Sequence, residues 1–455
     1  MELDAKTVMT TDTHLPHSVN INLKCVHMNK GDRFNNLFIL INRRGNATDS
    51  PKITFPAVQG MSFVTAGYQN ASPLIQTGKS GFKYLSSPVL IGRSTKYHVK
   101  DADGRDWLVY VNPAMGISYD ATNFRRLNPN SFMLPPNFKG TIQVARNPSG
   151  VEAEGLYDKT YGTFVVEAML SATVSESKGT YSFNYTKVGS GPLLMFILPH
   201  HLQSIDPELK NHVTNLRLQS TTKGTATAIW ADTLTFIEPS LPTSMGFAPW
   251  TPSMTPTRTR YPNDFLALLA PVAEHDLRRA LAAPFTQESY YYAGKALSRL
   301  ATLTWVLRDI LNDADATATA LGKLKREMAR YVDNVPRYPV YYDDTWKGLV
   351  SRAGLDGSAH ADFGNSFYND HHFHFGYFIY AAAVIGYVDP TWLVEGGARN
   401  RRFVNLMVKD VAEGEYEGRD FPFQRCFDWW AGHSWYVFDR LPALPPPRAR
   451  CVRWC

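Results

Sequence analysis

Short runs of β-branched and aromatic residues dominate the first half of the chain. Trp107-Leu-Val-Tyr-Val, Thr163-Phe-Val-Val-Glu-Ala-Met-Leu and Thr225-Ala-Thr-Ala-Ile-Trp each have the length and composition of a strand. Gly/Pro/Asn/Ser punctuation such as Asn147-Pro-Ser-Gly and Gly189-Ser-Gly-Pro separates such runs. Gly179-Thr-Tyr-Ser-Phe-Asn-Tyr-Thr alternates with period two, as a half-solvated antiparallel strand does. The pattern predicts a β-sandwich of antiparallel sheets over residues 1–240.

Five prolines (Pro239, Pro242, Pro249, Pro252, Pro256) then interrupt the chain, too many for a strand or helix interior. Beyond them the period becomes helical. Asn263–Ala282 is predicted to present Phe265, Leu268, Leu269 and Val272 on one face. Residues 292–310 place Leu297, Leu300, Leu303, Val306, Leu307 and Ile310 at helical spacing, and Leu321–Val332 forms a third amphipathic segment. Shorter helical windows, 377–385 and 403–411, follow among Gly- and aromatic-rich loops. The domains expected are a β-sandwich (1–240), a Pro-rich linker with helical connecting region (241–335), a partial helical domain (336–435) and an atypical tail (436–455).

Composition narrows the possible functions. Of 455 residues, 13% are aromatic and only 19% charged, a balance suited to a carbohydrate-handling surface or a ring-packed core. Half of the net charge of +6 lies in the tail, where Arg440, Arg448, Arg450 and Arg453 face only Asp439. No basic stripe remains to hold nucleic acid. No apolar run is long enough to span a membrane, and the first residues lack a signal-peptide core. Four cysteines (Cys25, Cys426, Cys451, Cys455) are too scattered for a disulfide framework.

The chemistry concentrates in two segments. Asn365-Ser-Phe-Tyr-Asn-Asp-His-His-Phe-His-Phe-Gly-Tyr-Phe-Ile-Tyr380 combines seven aromatics and three histidines with the single acid Asp370. Phe421–Trp435 repeats the theme around Asp428, Trp429 and His433. Three readings fit. In an extended segment His372 and His374 would point the same way and could chelate a metal, but neither an HExxH motif nor a Cys pair supplies a third ligand; no metal or other cofactor is expected. Alternatively the imidazoles are hydrogen-bonded within an aromatic core. The third reading is a sugar groove, where rings stack on pyranose faces and a buried carboxylic acid protonates a glycosidic oxygen.

The string Phe367-Tyr-Asn-Asp-His-His-Phe-His-Phe-Gly-Tyr-Phe-Ile-Tyr-Ala-Ala-Ala-Val-Ile-Gly386 resembles the signature of glycoside hydrolase family 81, the endo-1,3-β-glucanases. Asp389-Pro-Thr-Trp392, Phe427-Asp-Trp-Trp-Ala-Gly-His-Ser-Trp435, Tyr342-Asp-Asp-Thr-Trp-Lys-Gly348, Leu198-Pro-His-His201 and Gln59–Ala66 extend the resemblance over residues 50 to 435. It implies an N-terminal β-sandwich, a small connecting domain, and a C-terminal (α/α)6 toroid, incomplete in the length that remains. It also implies inverting hydrolysis of internal β-1,3 bonds with Asp370 as general acid. Tyr368, His372, His374, Asp428, Trp429 and His433 are the substrate-binding candidates. The implied partner is β-1,3-glucan, met outside the cell or in the cell wall by a monomer.

The resemblance further implies a glutamate base in a Gln-Glu-Ser-Ser/Thr-Ser-Glu stretch after Trp435. Residues 436–455 read otherwise, no glutamate follows Glu417, and Glu413, Glu415 and Glu417 read as a solvated loop. The expectation is an endo-1,3-β-glucanase truncated at this end and shortened at its start, inactive as given because the general-base segment is missing. The alternatives are a non-hydrolytic glucan-binding protein or a fragment whose last residues come from an out-of-frame or mis-spliced reading of the gene.

Overall fold

The computed structural model describes residues 38–43, 53–77, 81–220, 223–241, 261–285, 287–415, 418–425 and 427–434. The tail 436–455, most of the Pro-rich segment and Glu417 lie outside the described residues. The described residues form two compact units, 38–241 with Trp429–Ala431, and 261–428 with 432–434.

Antiparallel sheets build the first unit. The largest has eight strands, ordered Phe38–Arg43, Ile53–Val58, Val64–Ala71, Phe138–Arg146, Asp106–Pro113, Ser94–Asp101, Phe82–Leu85, with Val89–Ile91 also pairing Ser94–Asp101. Strand Asp106–Pro113 is buried on both faces: Leu108 and Tyr110 enter one core cluster while Val109 and Val111 enter another. A continuous apolar run is what such a position requires. Three-stranded sheets add Phe164–Ser175, Lys178–Val188 and Thr233–Glu238 in one, and Leu194–Ile197, Thr225–Trp230 and Val213–Gln219 in another. Their inward residues, among them Phe183, Phe196, Ile229 and Phe236, pack with Leu108 and Tyr110. His201, on a short helix (Pro199–Ser204), is buried within this cluster, and burial pushes its imidazole down to about 2. Neutral there, its Nδ1 accepts from the Leu198 N–H at 3.1 Å.

Five long helices organise the second unit. With two short helices of the first unit (α1, Val151–Tyr157; α2, Pro199–Ser204), they number α3 (Asn263–Ala282), α4 (Tyr290–Trp305), α5 (Ala314–Val332), α6 (His371–Val388) and α7 (Glu395–Ala412). Side-chain caps start α4 and α5, where Ser289 accepts from the Tyr292 N–H and Asp313 from the Ala316 N–H. Helix α6 is apolar on most of its surface; it packs on α4, α5 and α7, while Phe373, Ala383 and Tyr387 mark the face left exposed. Two glycines let neighbours in. A Cβ on Gly294 would stand 2.9 Å from Tyr377 Cβ, so this residue sets how closely α4 meets α6. A Cβ on Gly348 would stand 2.5 Å from Arg425, Asp410 and Tyr368 alike.

Three expectations are corrected. The segment around His372 and His374 is helical, so the two side chains diverge instead of pointing together as on a strand. In α3 the buried positions are Ala273 and Leu277, while Phe265, Leu268 and Val272 are exposed; the inward stripe is turned about one residue from the expected face. Glu413 is buried, bridged through its backbone to Phe423 and paired with Lys409 at 3.4 Å, and so does not belong to a solvated loop.

Candidate active site

The site is built on a strained turn leading into α6. Residues Asp362, Phe363 and Gly364 occupy left-handed backbone (φ 49°, 54° and 78°), as do Tyr368 (66°) and Asp370 (54°). Non-glycine residues there cost roughly 1–3 kcal/mol each, so the surroundings must hold them. Strand Gly348–Ser351 does part of this: the Ser351 N–H donates to Asn365 Oδ1 at 2.7 Å, and Ser366 Oγ donates to the Ser351 carbonyl. Tyr368 donates its hydroxyl to Asp343 at 3.0 Å, under the Arg425 guanidinium 4.3 Å from its ring centre.

Asp370 is the residue before α6 and is half-buried. Burial pushes its carboxyl upward, and the nearby His374 and His371 pull the other way without reversing the shift. Its carboxylate takes no hydrogen bond from the described residues.

Two buried imidazole–carboxylate pairs flank it. His371 directs Nδ1 at Asp410 Oδ2 (2.5 Å) and Nε2 at the Asn365 carbonyl (2.9 Å). Asp410 also accepts from the Leu349 N–H at 2.9 Å, and Arg425 Nε donates to its carbonyl at 3.0 Å. Burial alone would raise Asp410; the His371 and Arg425 beside it hold it below the usual range. On the other side, His374 donates from Nδ1 to the Asp370 carbonyl (2.8 Å) and from Nε2 to the Asp362 carbonyl (2.9 Å), with Asp362 Oδ1 at 3.2 Å. Burial opposes charge on both, yet Asp362 is held low and His374 high by one another.

The structure therefore groups Tyr368, Asp370, His372 and His374 around one turn. His372 is half-buried, and burial lowers its imidazole, keeping it neutral. Asp428 and His433 face each other in a two-stranded hairpin of the same unit. Trp429 is grouped with the first unit, its ring 5.6 Å from Tyr181. Among the described residues no group of three His, Cys, Asp or Glu side chains could hold a metal ion.

Sequence reasoning missed Asp362, Asp410, Arg425 and Ser289. Asp410 carried a signal: it lies three residues after Met407 and beside Val411 on the buried stripe of α7, where a carboxylate must have a partner. The others reach the site only through tertiary folding.

Residues 22–252 match the glycosyl hydrolase family 81 N-terminal domain and residues 260–437 the family 81 C-terminal domain. The chain belongs to glycoside hydrolase family 81. It is 40% identical over 396 residues to a glucan endo-1,3-beta-D-glucosidase of Arthroderma benhamiae, covering 86% of this chain and 43% of that protein. With the primary septum glucan endo-1,3-beta-D-glucosidase of Schizosaccharomyces pombe it shares 37% identity, over 85% of this chain and 37% of the relative. The chain thus spans about two-fifths of the length of these curated relatives. A solved family 81 structure from Clostridium thermocellum shares the fold, with a TM-score of 0.61 at 19% identity, over 84% of this chain and 50% of that one.

Proposed function

We propose that this chain carries the acid half of an endo-1,3-β-glucan hydrolase, with Asp370 as the general acid. The observation that carries the reading is the half-buried Asp370 carboxyl, pushed upward by burial at a strained turn flanked by two imidazoles. A glycosidic oxygen leaves as an alcohol only if it is protonated, which needs an acid still holding its proton near neutral pH. Tyr368, His372, His374, Asp428 and His433 are the groups proposed to bind sugar, and Trp429 is proposed as a stacking ring. The relatives' names support β-1,3-glucan as the substrate, one of them naming the primary septum; action outside the cell or in the cell wall belongs to the same proposal. Finer architecture belongs to the same proposal: a β-sandwich in the first unit, and in the second the connecting region to about residue 335 followed by part of an (α/α)6 toroid, acting as a monomer.

Inversion needs a second carboxylate, roughly 6.5–9.5 Å from the acid, to deprotonate water on the opposite face. Asp362 and Asp410 are engaged by His374 and His371, and Glu413 by Lys409. A base free to accept a proton is therefore not among these buried acids. Residues 1–455 are expected to be retained on insoluble β-1,3-glucan while releasing no oligosaccharide from laminarin. A family-type Gln-Glu-Ser-Thr-Ser-Glu segment and its following helices, joined after Trp435, should then restore release. Robust product from the unextended chain would mean that a base exists among the residues present. Retention without release in both forms would leave only the binding reading.

A further inference from the structure

The Asp362 side chain gathers four donors. Ser289 Oγ–H (2.5 Å), the Tyr291 N–H (3.1 Å) and His374 Nε2 (3.2 Å) meet Oδ1, and the Tyr290 N–H (3.0 Å) meets Oδ2. Two of these are orphan amides of the first turn of α4, where a negative charge is favoured. Asp362 thus ties the N-terminus of α4 to an imidazole on α6, and its side chain is buried.

His374 passes that tie on to the acid. Its two ring nitrogens face the carbonyls of Asp370 and Asp362. Carbonyls only accept, so both bonds exist together only when both nitrogens carry protons. An imidazolium buried this completely needs a counter-charge, and the Asp362 carboxylate supplies it. We propose that Asp362 is a positioning residue for the acid: through His374 it holds the Asp370 carbonyl, and with it the left-handed turn that sets where the Asp370 carboxyl stands. The inference rests on the reading of Asp370 as the proton donor, although the coupling itself is a property of the folded chain.

The coupling has a sign. Without the Asp362 charge, burial drives His374 neutral; one of its two bonds is lost and Asp370 loses a nearby positive charge. Asp370 then holds its proton to higher pH. The other polar and charged groups around this point are Tyr291 of α4 (rings 5.6 Å apart), Lys295 over the Tyr291 ring, and His371 and Tyr377 of α6. None of them replaces the carboxylate opposite Nε2.

The test is a carboxyl-carbon NMR titration of the full chain labelled at aspartate, with the Asp370 signal identified by its loss in Asp370→Asn. Asp362→Asn should move the Asp370 midpoint upward by about one pH unit. Near-ultraviolet circular dichroism confirms that the variant is folded. A folded variant with an unmoved midpoint overturns the proposal. Should Asp362→Asn fail to fold, nitrogen NMR of the parent decides: both nitrogens of His374 should be protonated at pH 7, and a neutral ring there overturns it equally. If Asp370→Asn, in a form that carries the base segment, instead keeps hydrolysing laminarin, the acid assignment falls while the Asp362 coupling stands.

Discussion

At the residue scale, the site depends on buried charges that are worth more as pairs than as members. Breaking a buried ion pair by removing one partner typically costs about 3–5 kcal/mol, because the survivor is left unpaired. Asp410→Asn should cost that much at pH 6, read as a loss of unfolding free energy in urea. The cost depends on pH. Asp410 is held below its ordinary value of 3.8, so its contribution is present above that value and is lost as pH falls through its folded one. The gap between parent and variant should therefore begin to narrow below about pH 4, and a gap that stays constant to pH 3 contradicts the ion pair. His374 behaves in the opposite sense: raised above 6.5, its contribution is full below that value and is lost as pH rises through the folded one.

Elements explain what is legible in the sequence and what is not. The bounds of helix α3, Asn263–Ala282, can be read directly, since periodicity and the flanking prolines mark its ends. Its buried face cannot, because apolar side chains alone do not say which stripe a neighbour will cover. For Asp370 and His374, one turn of α6 apart, a local string is enough. Asp362, Asp410 and Arg425 come from a strained turn, the end of α7 and the loop after it, and only packing brings them to the histidines. Packing also predicts a sensitive position. In Gly294→Ala the added methyl would meet Tyr377 Cβ at 2.9 Å and the His374 carbonyl at 3.2 Å, forcing α4 and α6 apart. A loss of about 1–3 kcal/mol of stability is expected by thermal or urea unfolding, whereas an unchanged midpoint would show that the helices have slack.

Across the whole molecule, the proton donor proposed here is what would give the family relationship its chemical meaning. The sheets of the first unit and the helices of the second each hold a core of their own, and the second holds Asp370 at the start of α6. The most direct measurement is oligosaccharide release from laminarin by Asp370→Asn beside its parent, both in a form that carries the base segment, with retention on insoluble β-1,3-glucan followed in parallel. An amide keeps the shape of the side chain but has no proton to give. The account predicts retention close to the parent's and release lower by about 10²–10⁴-fold; release near the parental rate would contradict it.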